Sequence, residues 1–223
     1  MQKQPDKKTV QGCIEEALRK LNITSNVSHS GRTDRGVHAL NQVIAFEKPE
    51  FWNIEKLQNS LNKILHPSIH IKKLTKVPKN FNPRFDAKKR SYRYLLTPIF
   101  SPFNAAYTTY YSNYIDLQLI NNALKIFEGV HDFEYFAKTG SEVNSYIREI
   151  FSAKAFNYKE YTVIKITGNG FLRGQIRLIV DFVLKINENR LTLKDLKKQL
   201  DKKSLISKHL APPNGLYLER IWY

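Results

Sequence analysis

An acidic side chain between two arginines is the feature of this sequence that points most directly to chemistry. Asp34 lies between Arg32 and Arg35, and Gly31 and Gly36 bracket the three. Glycines at this spacing indicate a tight turn of the backbone, and a neighbouring guanidinium would keep the carboxylate ionised and oriented. The run therefore fits a catalytic carboxylate. Taken alone it also fits a glycine turn whose charges are solvated, and that simpler interpretation is the preferred one until other residues are considered.

A second run alternates basic and aromatic residues, Arg90-Ser91-Tyr92-Arg93-Tyr94. On a strand, Tyr92 and Tyr94 share one face and Arg93 takes the other. A tyrosine beside arginine is a platform on which an unstacked base can lie, at about 1–3 kcal/mol per base. Half-buried strand tyrosines are the alternative; we prefer it for Tyr94 and leave Tyr92 open.

A third candidate is Arg177, in a segment with a continuous apolar stripe at helical spacing: Leu172, Ile176, Ile179, Val180 and Val183. An arginine at the margin of a buried face usually has an acidic partner, because an unpaired buried guanidinium is costly. The alternative is that the methylene groups of Arg177 pack against the apolar face while its guanidinium reaches water. The segment itself does not decide between the two.

Two α+β modules would have to position these residues. In the first, residue periodicity predicts a helix over 9–21, a strand over 42–46, a helix over 53–66 and a strand over 69–77. In the second it predicts strands over 91–97, 147–157, 161–168 and 216–223, and helices over 116–127, from Phe171 onward and over 192–200. The joint at 78–83 suggests domains over 1–80, with the Asp34 loop, and 81–223, with Tyr92 and Arg177.

The charge balance indicates a polyanionic partner. The 223 residues include 36 Lys and Arg against 20 Asp and Glu, a formal charge of +16. Neutralising phosphates releases counterions, so nucleic acid is the favoured partner. An anionic membrane is the weaker alternative, since there is no basic amphipathic helix with an exposed apolar face. A lysine-rich proteome would also raise the charge without a functional cause.

The remaining composition narrows the class of protein. The single cysteine, Cys13, suits a reducing compartment. We find no apolar run of membrane-spanning length and no signal peptide, so we expect a cytoplasmic protein. The six histidines show no metal-ligand spacing, and Gly168-Asn169-Gly170 lacks the residues of a phosphate-binding loop. We therefore expect neither a metal nor another cofactor.

The string Gly31-Arg32-Thr33-Asp34-x-Gly36-Val37-His38-Ala39 resembles the signature motif of the tRNA pseudouridine synthase A family. The resemblance extends over most of the chain. Further matching positions are Phe81, Arg84, Phe85, Ala87, Arg90, Tyr92, Tyr94, Gly129, His131, Asp132, Phe133, Phe136, Arg148, Phe171, Leu172, Ile176, Arg177, Ile179, Val180, Gly215, Leu216, Tyr217, Leu218 and Tyr223.

The resemblance implies both a fold and an activity. The expected fold is two similar α+β modules with mainly antiparallel sheets flanked by helices, forming a central RNA-binding cleft. The implied activity is the cofactor-free isomerisation of uridine to pseudouridine at positions 38–40 in the anticodon stem-loop of tRNA, by a homodimer. This reaction needs an ionised carboxylate, an arginine beside it in a closed pocket, a flipped nucleotide and a basic surface.

The resemblance also assigns roles to residues. It implies that Asp34 is the nucleophile, that Tyr92 stacks on the target base and takes a proton, and that Arg177 pairs with Asp34. Arg32 would help to move the target uridine out of the helix and hold its place. We expect the RNA-binding set to be Arg32, Arg35, Arg84, Arg90 and Tyr92.

Two departures from the family pattern leave alternatives open. The chain begins at Met1-Gln2-Lys3-Gln4, without the first strand and its Tyr-Asp-Gly motif, which would expose a sheet edge. The long helix carries Arg173-Gly174-Gln175 and Asp181, where the family usually has other residues. A non-catalytic tRNA-binding or tRNA-folding protein on the same scaffold is therefore the second hypothesis. A glycoside- or nucleotide-cleaving enzyme is a weak third, since no second carboxylate is evident.

Overall fold

A computed structural model describes residues 8–140 and 143–223. Contacts group the described residues into two units, one of residues 8–33 and 42–86 and the other of 34–41 and 87–223. The sequence places residues 34–41 in the first module, but their contacts lie in the second unit, because strand β2 (His38–Ala39) pairs with the last strand of that unit. The expectation about a first strand concerns Met1–Gln4, and these residues lie outside the described part of the chain. Within those residues, no helix has the length and apolarity to span a membrane.

The first unit contains two helices and a small sheet. Its elements are α1 (Val10–Lys20), β1 (Ser28–His29), β3 (Ile44–Ala45) and α2 (Ile54–Leu65), with β1 and β3 antiparallel. The side chains of Thr9 and Asn53 cap the two helices by accepting backbone N–H groups. Both predicted helices are confirmed, and their apolar stripes meet in one core. The predicted strand over 42–46 is confirmed only at its centre.

The predicted strand over 69–77 is wrong, since these residues form neither strand nor helix. Side chains of α2 take up the hydrogen-bonding groups that a neighbouring strand would use. Asn62 accepts the N–H of Ile71 through Oδ1 (2.6 Å) and donates to its carbonyl (3.0 Å), and Gln58 donates to the same carbonyl (3.1 Å). The alternating apolar residues pack on the helix pair instead of joining a sheet.

The second unit is a larger sheet covered by helices. Its remaining elements are β4 (Lys89–Thr97), β5 (Thr109–Tyr110), α3 (Leu117–Lys125), β6 (Gly129–Asp132), a 3₁₀ turn (Glu134–Phe136), β7 (Ile147–Tyr158), β8 (Tyr161–Gly168), α4 (Gln175–Asn187), α5 (Leu193–Leu200) and β9 (Leu216–Trp222). The sheet has seven strands in the order β2-β9-β4-β8-β7-β6, with β5 also on β4. All pairs are antiparallel except β2 with β9 and β4 with β5. The expected α+β class with mainly antiparallel sheets is confirmed.

Strand β4 lies between β8 and β9 and carries the aromatic-basic run. Tyr92 and Tyr94 pack on the core side, and Tyr94 has the structural role that we prefer for it, although its side chain is fully rather than half buried. Arg93 lies on the other side, where its guanidinium is 2.5 Å from a Glu219 carboxylate oxygen. Burial acts to raise the pKa of Glu219, but hydrogen bonds from Lys165, Ser91 and Arg93 outweigh it and lower that pKa to about 2. Through Glu219 this network links β9 to β4 and β8.

Helix α4 begins later than the sequence predicts. Periodicity starts it at Phe171, whereas the helix starts at Gln175 after Gly174, whose φ is +73°. The buried side chain of Gln175 accepts the N–H of Leu172 (2.8 Å), so the preceding residues form a turn. The apolar stripe itself is confirmed, because all five of its members are buried. The turn leaves Phe171 directed at β4 rather than into the helix core.

Candidate active site

The Asp34 loop is a tight turn held by its second glycine. Val37 N–H donates to the carbonyl of Asp34 (3.2 Å), and Gly36 in the third position has a φ of +81°. A positive φ at that position is what a type II turn requires, and glycine adopts it without strain. A Cβ on Gly36 would also lie 2.9 Å from Cγ of Pro213. The turn presents Asp34 with 32% of its side chain exposed, so solvent reaches the carboxylate.

The residues after the turn fasten it to the sheet edge. His38 pairs with Tyr217 in the β2–β9 ladder, and the two rings stack with centroids 4.8 Å apart. The His38 Nε2 atom is 2.9 Å from the carbonyl oxygen of Ala106, and Asn41 donates to the carbonyl of Glu219 (2.7 Å). The imidazole ring of His38 therefore attaches the Asp34 turn to β9 and to the chain at Ala106.

Arg177 lies in the first turn of α4 and reaches Asp34. One terminal guanidinium nitrogen is 3.3 Å from Asp34 Oδ2, and Nε donates to the carbonyl of Ala211 (2.6 Å). Only 14% of the arginine side chain is exposed. The acidic partner that its position demands is thus Asp34.

Tyr92 stands beside this pair on β4. Its ring meets the edge of Phe171, with centroids 5.3 Å apart and an interplanar angle of 87°. Burial raises the pKa of Tyr92 to about 12; the nearby charge of Arg90 opposes this and that of Asp34 adds to it. The phenol is therefore neutral near pH 7. A carboxylate, a guanidinium and a neutral phenol come together in one unit.

Two further arginines of the second unit lie at the turn after β8. Arg90 donates to the carbonyl of Asn169 (3.0 Å), and Arg148 donates to the carbonyls of Ser145 (2.9 Å) and Ile147 (2.6 Å). Burial, and then the charge of Arg90, lower the pKa of Arg148. Two cations held this close together favour binding of an anion. Arg35, in the Asp34 turn, is exposed.

Arg32 and Arg84 belong to the first unit. Both side chains are exposed, and Arg84 lies over the ring of Phe85 at 5.3 Å. Burial, followed by the charges of Arg32 and Arg84, lowers the pKa of His29. The two arginines therefore create positive potential on one part of that unit. The structure thus gathers Asp34, Arg35, Tyr92, Arg90 and Arg177 in the second unit, and Arg32 with Arg84 in the first.

Sequence reasoning missed two parts of this site. Helical periodicity places Phe171 at the start of a helix, although the glycine three residues later signals that the helix begins beyond it. The segment from Ala211 to Pro213 has no periodicity that marks it, yet it contacts both Arg177 and Gly36. Its two prolines, Pro212 and Pro213, signal a fixed, non-helical backbone.

Known proteins resemble this chain along nearly its whole length. The tRNA pseudouridine synthase A of Campylobacter jejuni strain RM1221 is 46% identical over 222 residues, covering 99% of this chain and 92% of the relative. The protein of the same name from Helicobacter pylori strain 26695 is 43% identical over 228 residues, with the same two coverages, 99% and 92%.

A family model described as tRNA pseudouridine synthase matches residues 1–86 and 123–223. The matched residues include the Asp34 turn and Arg177, whereas Tyr92 lies between the two matched segments. Since the model covers most of the chain and the relatives far exceed a chance level of identity, this chain belongs to the tRNA pseudouridine synthase family.

Proposed function

We propose that this chain isomerises uridine to pseudouridine at positions 38–40 in the anticodon stem-loop of tRNA, without a cofactor and in the cytoplasm. The observation that carries the proposal is the contact of Asp34 with Arg177 beside Tyr92. The relatives' shared name, tRNA pseudouridine synthase A, supports the substrate class and the reaction. The single cysteine is in keeping with a reducing compartment.

Asp34 acts as the nucleophile in this proposal. The reaction breaks the bond between the ribose C1′ and N1 of the base, turns the base, and joins C1′ to C5. An ionised carboxylate attacks the ribose or the base and is released unchanged when the new bond forms. Arg177 holds and directs the carboxylate, and the exposed third of the side chain is the part that substrate can reach.

Tyr92 receives the flipped base on its ring. The net reaction also moves one proton from C5 to N1. A phenol that gives up its own proton and takes the one from C5 leaves that balance unchanged, so Tyr92 serves as a relay between the two positions. Its raised pKa keeps the hydroxyl protonated until substrate engages it.

The arginines bind the RNA backbone in this proposal. Arg35, Arg90 and Arg148 do so from the second unit, and Arg84 from the first. Arg32 enters the stem and holds the place that the target uridine vacates. Phosphate contacts of this kind position the RNA without reading its sequence.

We propose in addition that two copies of the chain associate. Between Ile99 and Tyr114 the second unit exposes large aromatic side chains, with 64% of Phe100, 89% of Phe103 and 87% of Tyr114 accessible. Grouped exposed rings of this kind mark association surfaces, and an identical chain offers the same rings for a symmetric contact. Sedimentation equilibrium of the purified chain would give twice the chain mass, and a monomer at all concentrations would contradict the proposal.

The function is tested with an unmodified tRNA transcript that has uridine at the three anticodon-arm positions. We expect pseudouridine there, detected by carbodiimide modification and primer extension. Asp34→Asn keeps the size of the side chain but removes the nucleophile, so we expect at least about a thousandfold loss of rate with tRNA affinity nearly unchanged.

Asp201→Asn is the matched control, since Asp201 is an exposed carboxylate paired with Lys203 at 3.2 Å, and it should retain the rate. An unimpaired Asp34→Asn variant would refute the assignment of the nucleophile. Tight tRNA binding without isomerisation by the unaltered chain would favour the tRNA-binding or tRNA-folding alternative instead.

A further inference from the structure

Three pairs of residues, joined by four contacts, hold the segment before β9 along helix α4. Arg177 Nε donates to the carbonyl of Ala211 (2.6 Å), and the N–H of Ala211 donates to the carbonyl of Arg177 (3.1 Å). His209 Nδ1 is 2.6 Å from Asp181 Oδ1. Lys185 donates to the hydroxyl of Ser207 (2.9 Å). Contacts thus recur at every fourth residue of the helix and every second residue of the segment, which runs in the opposite direction.

These intervals match because four helical residues and two extended residues span nearly the same length. Four residues of an α-helix rise about 6 Å, and two residues of extended chain span about 6.6 Å. The segment 207–211 therefore lies extended along the helix, with one contact at each interval. We call this set of contacts the ladder.

The ladder is anchored at its far end by a buried side chain. Gln199 of α5 is fully buried and accepts the N–H groups of Ile206 and Ser207, both at 2.8 Å. Its amide nitrogen donates to the carbonyl of Ser207 (2.9 Å). The segment cannot slide along α4 without breaking these bonds.

The near end of the ladder determines the geometry of the ion pair. The Ala211 carbonyl holds Nε of Arg177, which leaves a terminal nitrogen directed at Asp34. Two residues further on, Pro213 lies against Gly36 in the Asp34 turn. One short segment therefore contacts both the arginine and the loop that carries its carboxylate partner.

Asp181 is the central member of the ladder. Its side chain is 12% exposed, and its second oxygen is 2.7 Å from Lys185 Nζ, which is itself held by Ser207. Both carboxylate oxygens thus face positive or donor groups from the helix and the segment. The mostly buried carboxylate of Asp181 thus joins a lysine of its own helix to the exposed ring of His209 in the segment, and replacing Asp181 removes both contacts at once.

We infer that Asp181 and His209 are positioning residues of the isomerisation: they hold the Ala211 carbonyl so that Arg177 points at Asp34. The inference rests on the proposed roles of Asp34 and Arg177. Neither Asp181 nor His209 contacts the reacting atoms in this assignment, and their effect passes through the segment and the guanidinium.

The test is the single-turnover rate of Asp181→Asn, His209→Gln and the double variant, alongside tRNA affinity and the melting temperature. We expect each single variant to lose at least about tenfold in rate, because misplacing a catalytic group by about 1 Å can cost a hundredfold. The tRNA affinity should stay within about twofold. The double variant should lose little more than the worse single variant, because both remove the same contact.

Glu188→Gln, at the C-cap of the same helix, is the matched control, because it removes one ion pair, with Arg190 at 3.2 Å, outside the ladder. Its rate should be that of the unaltered chain. A second readout is the NMR signal of the Arg177 Nε–H, identified by its absence in Arg177→Lys, which should shift and exchange faster in Asp181→Asn.

Two results would overturn this inference without affecting the proposed function. One is an unchanged rate and Nε–H signal in Asp181→Asn, and the other is a parallel fall of rate, affinity and melting temperature that shows a general loss of structure. In both cases Asp34→Asn remains inactive, so the proposed function stands. If the unaltered chain forms no pseudouridine, the proposed function and the positioning role fall together.

Discussion

Asp34 combines an exposed edge with a fixed orientation. Its carboxylate accepts from Arg177, whose side chain is mostly buried, while 32% of the aspartate itself stays accessible. The nucleophile of the proposed reaction needs both properties, because the attacking oxygen must reach the substrate and must approach it from a fixed direction. Because the arginine is mostly buried, removing either partner would leave a partly buried charge unpaired.

Two substitutions at Tyr92 distinguish the contribution of its ring to binding from that of its hydroxyl to proton transfer. Tyr92→Phe keeps the stacking surface, so tRNA affinity should change by less than about threefold. The proton relay is lost, so the single-turnover rate should fall by about a hundredfold or more. Tyr92→Leu should lower both quantities. An active Tyr92→Phe variant would show that the hydroxyl takes no part in proton transfer.

The same residue gives a pH prediction. Its pKa is about 12 in the folded protein, above the value of about 10 for an exposed tyrosine. The difference in absorbance near 295 nm between the protein and Tyr92→Phe should therefore show no phenolate below about pH 11. The stabilising contribution of this raised pKa is complete below about pH 10 and is lost as the pH rises towards 12.

At the scale of elements, the site depends on short pieces attached to the large sheet. The Asp34 turn is placed by β2 on the edge of β9, and Tyr92 is placed by β4 between β8 and β9. Arg177 is placed by the late start of α4 after Gly174. The Ala211 to Pro213 segment joins these pieces, which makes the packing of Pro213 against Gly36 a point where the site can be disturbed.

Gly36→Ala tests that packing. The positive φ of +81° and the 2.9 Å approach to Pro213 both oppose a methyl group. We expect a loss of about 1–2 kcal/mol in the free energy of unfolding and a larger proportional loss of isomerisation rate. Gly31→Ala is the stability control, because a Cβ there meets nothing within 4 Å. Equal unfolding free energies for the two variants would contradict the argument.

At the scale of the whole molecule, the charge of +16 is the property with the clearest consequence. We expect the tRNA association constant to fall at least about a hundredfold between 50 and 200 mM salt, since counterions are released on binding. Arg90→Gln should reduce the slope of log affinity against log salt by about 1. Lys20→Gln, which changes a lysine paired with Glu16 on α1, is the control and should leave the slope unchanged. A flat salt response would mean that the charge is only compositional.

Some of this protein was determined by its sequence alone. Helix spacing and caps are local properties, so α1, α2, α3 and α5 could be predicted closely. The motif around Asp34 predicted the chemistry only through its resemblance to a known family, because the residues alone also fit a solvated glycine turn and an arginine whose guanidinium reaches water. The alternation in β4 correctly separated Tyr94 from Arg93.

Only the tertiary structure decided how these parts meet. Asp34 and Arg177 are 143 residues apart, and their contact requires the sheet, α4 and the Ala211 segment at once. The assignment of residues 34–41 to the second unit and the failure of the 69–77 strand have the same origin. Residues 38–39 form backbone hydrogen bonds with β9, which is distant in the sequence. The backbone of Ile71 instead bonds to the amide side chains of α2. Buried backbone N–H and C=O groups must be paired, and the fold determines which partner lies within reach. Residue spacing along the sequence does not specify that partner.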